Sequence, residues 1–229
     1  MSFWSLLKVI KQNNLAANAP KPLRTKTPMR LSQDSAMSIS ITPMILAEAA
    51  GAMFKSDLPT DEKVFAVGSI SLFGQNFYHS YLSQVEGAFI QICSHNDKVV
   101  DMRLFRPLDE VIPASEDDWE FWLENEDGNI GRPSIQTKDG TIFDRAWGGG
   151  DQRISPFILD ESVLDVSGAN SIVKHRMMLY KRPLTDPKLT EYLLVSAVQT
   201  HNEASVNLWL GIDLAASDLT VYAASDAPL

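Results

Sequence analysis

From Ser205 to Leu214 the chain reads SVNLWLGIDL, with Val206, Leu208, Leu210 and Ile212 at every second position. Successive side chains of a strand point to opposite faces, so this spacing commits one face to burial. Tyr192 to Gln199 supplies an antiparallel partner of similar character, and the pair is the strongest hairpin signal in the chain. Upstream, Val64–Phe73, Phe77–Leu82, Ala88–Cys93 and Val99–Phe105 are short β-branched and aromatic runs. They are separated by Gly74-Gln75-Asn76, Glu86-Gly87 and Asn96-Asp97, which are turn punctuation, so an antiparallel meander is expected. Asp139-Gly140 predicts a tight turn between Ser134–Thr137 and Thr141–Trp147, and Asp218–Tyr222 a last edge strand.

Two short helices interrupt this β pattern. Thr42 as N-cap, followed by Pro43 at the first helical position, predicts a helix over 42–54. Ser115 with Asp118, acids in the first turn, and Gly128 as a stop predict another over 115–125, with Trp119, Trp122 and Leu123 on one face. The expected fold is therefore α+β: mostly antiparallel sheet, two or three short helices, and an N-terminal arm.

That arm differs from the rest. Residues 3–11 place Phe3, Leu6, Leu7 and Ile10 on one helical face beside Trp4, Lys8 and Lys11. From Gln12 to about Ser35 the chain is polar and proline-punctuated, the pattern of a flexible linker. Residues 1–36 are thus expected to be a basic amphipathic segment with its linker, and 37–229 a single β-rich domain. Net charge is −9, yet residues 1–33 carry six bases and no acid. Of 20 bases in all, 14 remain against 29 acids, so the body is near −15. An acidic body argues against nucleic acid, because duplex binding needs a basic face. The arm suits an anionic membrane surface or a protein groove, with Phe3, Trp4, Leu7, Lys8 and Lys11 as contacts.

The chemistry motifs are sparse. Gly148-Gly149-Gly150 is the one glycine triplet, but it matches neither a dinucleotide fingerprint nor a P-loop, and Pro156 blocks a following helix. What remains is an anion nest of glycine amides flanked by Arg145, Trp147 and Arg153. Nine acids and no base lie between Asp109 and Asp127, and they read as a solvated helix face. The basic cluster Lys174-His175-Arg176 with Lys181-Arg182 is expected to pair with that helix. His79, His95, His175 and His201 share no metal-ligand spacing, and the single Cys93 allows no disulfide framework. No catalytic signature, metal or cofactor is expected, and a non-enzyme is favoured. No apolar stretch is long enough for a bilayer span, and no signal-peptide core is present, so a cytoplasmic location is the expectation.

Several segments occur in an order that resembles the YjfK-like family of bacterial proteins: "FIQI" (89–92), "RLFRPLDEVIPASEDDWEFWL" (103–123), "IGRPSIQTKDGTIFDRAW" (130–147), "RISPF" (153–157), "MLYKR" (178–182), and "EYLLVSA" with "VNLWLGIDL" (191–214). The resemblance spans roughly residues 62–222 and leaves out 1–35. It implies a cytoplasmic bacterial protein, encoded beside phage-shock-type membrane-remodelling proteins, and carries over no functional residues. The expectation is an accessory or adaptor protein with protein partners, peripheral to the inner membrane. The alternative is a small-molecule or anion binder, or an enzyme, with its pocket at the Trp147–Arg153 loop.

Overall fold

The computed structural model describes residues 25, 27–123, 128–199 and 204–222. Twelve strands, β1(Ala36–Ile39), β2(Asp61–Leu72), β3(Gln75–Leu82), β4(Phe89–His95), β5(Lys98–Val111), β6(Ser134–Gln136), β7(Ile142–Arg145), β8(Phe157–Asp165), β9(Asn170–Pro183), β10(Thr190–Gln199), β11(Ala204–Asp213) and β12(Leu219–Tyr222), are joined by two helices, α1(Thr42–Ala49) and α2(Glu116–Leu123). The expected meander is present as β2–β3–β4–β5, and the expected hairpin as β10–β11. Every pairing is antiparallel.

The sheet does not stay open, which corrects the expectation of a plain α+β sheet. A long hairpin over 157–183, where no strand was expected, closes it: β8 pairs with β9 on one side and with β2 on the other. The circuit β2–β3–β4–β5–β11–β10–β9–β8 is an eight-stranded barrel. Closure removes the edges that an open sheet would leave unpaired.

The barrel divides the chain's apolar residues into two cores. Inside lie Ala66, Ile70, Tyr81, Phe89, Phe105, Val163, Met177, Leu194 and Trp209. Outside, Ile90, Met102, Leu104, Val195, Leu208, Leu210 and Ile212 form the floor of a second core, roofed by Met37, Ile39, Met44 and Phe54 from β1, α1 and the segment after it. The alternation of β11 therefore buries both faces: Val206, Leu208, Leu210 and Ile212 outward, Ser205, Asn207 and Trp209 inward. Packing inside is close enough that a Cβ on Gly211 would sit 2.4 Å from the Phe105 ring.

The helices follow the expected signals with shorter spans. In α1, Gly51 at φ +85 and the bonds Ala52 N–H to Ala47 O and Gly51 N–H to Glu48 O form a Schellman stop, so the helix ends at Ala49 rather than 54. Thr42 is the first helical residue and not the cap. At α2 the Ser115 hydroxyl accepts from Asp118 N–H, the cap that the spacing predicts, while Asp118 Oδ2 accepts from Ala114 N–H, one residue before the position a capping box uses. Ordered packing also reaches back beyond Met37: Leu31, Gln33 and Ser35 are buried, and Gln33 bonds both Thr25 and the Leu164 carbonyl.

Candidate functional site in the barrel lumen

Inward-facing positions of β3, β8, β9 and β10 bring polar side chains together deep in the barrel. Glu161, with no exposed surface, receives three groups: His79 Nδ1 at 3.0 Å and the Tyr81 hydroxyl at 2.8 Å on Oε1, and His175 Nε2 at 2.9 Å on Oε2. The far nitrogen of His175 meets the Ser196 hydroxyl at 2.9 Å, and that of His79 meets the Gln91 amide at 3.0 Å. Burial by itself would push the Glu161 carboxyl up. The nearby His79, together with the hydrogen bonds from both histidines, outweighs burial and holds the carboxyl well below the ordinary range. Tyr81 moves the other way, its ionisation opposed by burial and by the Glu161 charge.

An ionised carboxylate is acceptor-only, so His79 presents Nδ1–H and His175 presents Nε2–H to it. Space for the carboxylate comes from Gly68 on the neighbouring strand: a Cβ there would lie 1.6 Å from Glu161 Oε1. Glycine inside a strand commonly marks such a close approach. The two histidines already sit at hydrogen-bond distance from opposite oxygens, so the trio has no shared point for a metal. Among the described residues, no group of three His, Cys, Asp or Glu is arranged to hold one.

Above this network the lumen is open. A cavity of about 680 Å³ runs from His79 and Gln91 to the barrel mouth, walled by Ile70, Phe77, Leu159, Met177, Leu179 and Leu194. The lip is aromatic: Phe157 packs edge-on to Phe73 at 5.9 Å and tilted against Trp147 at 5.4 Å, and Phe73 is 84% exposed. One wall is polar but internally paired. Arg103 lies 4.3 Å over the Tyr192 ring and forms ion pairs with Asp101 and Asp213. Burial raises the Asp213 carboxyl despite Arg103, and burial with Asp101 raises the Cys93 thiol, which favours its protonated form.

The glycine loop stands beside this mouth. Gly148 and Gly150 adopt φ of +69 and +98, conformations that favour glycine. Carbonyls, rather than amides, converge at the centre of the loop. Buried Arg145 donates to the carbonyls of Trp147, Gly148, Gly131 and Gln152, with Gly150 at 3.4 Å. Arg153 donates to the carbonyls of Gly128 and Leu123, next to the end of α2. The loop is thus organised around a cation. Of Arg145, Trp147, Gly148, Gly149, Gly150 and Arg153, only Trp147 lines the lumen cavity.

Alternation on β9 splits the basic cluster, turning His175 inward while Lys174 is exposed. Arg182 pairs with buried Glu191 at 2.7 Å and lies 5.3 Å over the Phe143 ring, so its partner is not the acidic helix. Phe3, Trp4, Leu7, Lys8 and Lys11 lie outside the described residues. Among the described residues no helix is long and apolar enough to cross a membrane.

Fold and site together define an antiparallel eight-stranded barrel with a lumen open at one end and a buried carboxylate–imidazole network at its floor. The chain belongs to the family described as "Protein of unknown function (DUF2491)", whose model matches residues 6–220. That span takes in most of the N-terminal stretch that the resemblance to YjfK-like proteins left out. No match was found among curated proteins or among solved structures.

Proposed function

We propose that the barrel binds one small, largely apolar molecule in its lumen, with a single hydrogen-bonding group directed at Gln91, whose amide is held by His79. The observation that carries this reading is the cavity itself. Its volume is within the about 300–1,000 Å³ common for small-molecule sites, and it pairs apolar walls with a few convergent polar groups. Eight-stranded barrels are also wide enough to enclose a single small ligand. Arg103 and Lys181 together balance Asp101 and Asp213 at the polar wall, which favours a neutral ligand over a strongly charged one.

Trp147 reports from the lip, so fluorescence can test the proposal. Titration with neutral 1-aminoanthracene is expected to saturate at one molecule per chain. Leu159→Trp fills the cavity and is expected to weaken binding about tenfold or more, the loss of roughly 1.4 kcal/mol or greater. Unchanged affinity in a folded Leu159→Trp protein would refute the lumen as the site.

A second reading is supported by the amphipathic pattern of residues 3–11 and the finer YjfK-like resemblance: an accessory protein with protein partners near the inner membrane. A pull-down from native membranes, with and without residues 1–33, tests it. Identical partner sets from both forms count against it.

A further inference from the structure

The floor of the lumen is a chain of hydrogen bonds with one end fixed and the other open. At the fixed end, fully buried Glu161 accepts from His79 Nδ1 at 3.0 Å. At the open end, the amide nitrogen of Gln91 lies 3.0 Å from His79 Nε2. An amide nitrogen only donates, so this contact makes Nε2 the acceptor and keeps the ring proton on Nδ1, where Glu161 takes it. The two bonds agree with each other. Together they fix what a glutamine alone leaves free, which end of its amide faces the histidine. The nitrogen turns to His79, and Oε1 turns away from it. Among the described residues Gln91 Oε1 meets no donor, and Gln91 lines the cavity. Its cross-strand neighbour Arg103 is held by Asp101 and Asp213 instead.

We propose that the lumen selects an apolar molecule carrying a hydroxyl, an alcohol or a phenol, whose O–H donates to Gln91 Oε1. The inference rests on the lumen being the binding site and names the chemistry that the site reads. A hydroxyl is donor and acceptor at once, so it can meet both Oε1 and the second N–H of the amide. An ether or a ketone can meet only the N–H. It leaves Oε1 desolvated without a partner, a mismatch that weakens binding about tenfold or more. A carboxylate fits worse still. It is acceptor-only, so it sets one oxygen against another at Gln91, and walls of Ile70, Phe77, Leu159 and Leu194 give its charge no compensation. The same walls suit the apolar body of an alcohol or phenol.

Displacement of 1-aminoanthracene from the full-length chain at neutral pH tests the choice, with 2-naphthol, 2-methoxynaphthalene and 2-naphthoate as competitors on one ring system. 2-Naphthol is expected to bind about tenfold or more tightly than either of the others. Gln91→Leu is expected to erase the gap between 2-naphthol and 2-methoxynaphthalene, because leucine has no acceptor to leave unmet. The order in the wild-type chain needs no substitution, so it decides even where Gln91→Leu does not fold. Equal affinities for 2-naphthol and 2-methoxynaphthalene overturn the hydroxyl class and leave the lumen as the site. A folded Gln91→Leu protein that keeps the gap does the same. Tightest binding of 2-naphthoate also overturns it and moves the anchor to Arg103 or Lys181. Competition that Leu159→Trp leaves unchanged removes the lumen as the site, and this inference falls with it.

Discussion

Glu161→Leu is expected to lower stability at neutral pH by about 3–5 kcal/mol, the cost of stripping one partner from a buried charged cluster. The reason is geometric. His79 Nδ1–H, the Tyr81 hydroxyl and His175 Nε2–H all point at one carboxylate inside a closed barrel, and leucine removes that shared acceptor. Glu161→Gln is expected to cost less, about 1–3 kcal/mol, because an amide keeps one oxygen acceptor and a histidine can change tautomer to meet its N–H. Both variants also change the response to acid. The Glu161 carboxyl is held below its unfolded value, so it stabilises the fold above that value and loses the contribution as pH falls towards the folded one. The wild-type chain should therefore lose stability below about pH 5, and Glu161→Gln should flatten that slope. Urea unfolding of the three proteins at pH 7 and pH 4.5, followed through buried Trp209, gives both numbers. A Glu161→Leu protein as stable as wild type would remove the network from any structural role.

How much of this was legible in the sequence depended on whether the two faces of a strand differ. In β11 the alternation of Val206, Leu208, Leu210 and Ile212 with Ser205 and Asn207 is plain because the lumen face is partly polar while the outer face packs on α1 and β1. In β8 the contrast vanishes. The lumen face carries Leu159 and Val163 but also Glu161 and Asp165, and the outer face carries Ile158, 72% exposed, beside Asp160. Neither parity reads as the buried one, so the strand that closes the barrel left no period-2 signal. The same mixing hid the site. Four histidines with unrelated spacing gave no motif, because strand pairing, and not sequence proximity, sets His79 and His175 on one carboxylate. A usable signal did exist. Gly68 inside a β-branched run and His79 sharing parity with Phe77 and Tyr81 are polar or missing side chains where core residues belong. Read as inward positions, they point to a filled polar centre.

Arg145→Met is expected to cost about 1–3 kcal/mol and to loosen the lip of the lumen at the same time. Methionine keeps an unbranched apolar stem but offers no donor to the carbonyls of Gly131, Trp147, Gly148 and Gln152. Trp147, Gly148 and Gln152 are exposed, so water can meet part of what is lost, and a buried carbonyl that loses a donor costs about 1–3 kcal/mol. The Gly131 carbonyl is also the acceptor of Ile154 N–H, and a Cβ on Gly131 would lie 1.9 Å from the Ile154 carbonyl oxygen, so the two backbone segments have little freedom to rearrange. Arg145→Lys should recover only part of the loss, because one ammonium cannot serve carbonyls spread around a planar guanidinium. The loop's own chemistry separates the alternatives. If guanidinium-to-carbonyl bonds hold the triplet in place, Arg145→Met should weaken 1-aminoanthracene binding through displacement of Trp147, while Gly149→Ala, whose Cβ meets nothing within 4 Å, should leave stability and binding near wild type. If the glycine amides were instead the binding element, phosphate would stabilise the wild-type chain and Gly149→Ala would abolish that gain. Thermal melts of the three variants with and without 10 mM phosphate, an addition of order 10 Kd for a site of about millimolar affinity, distinguish a cation-centred corner from an anion nest.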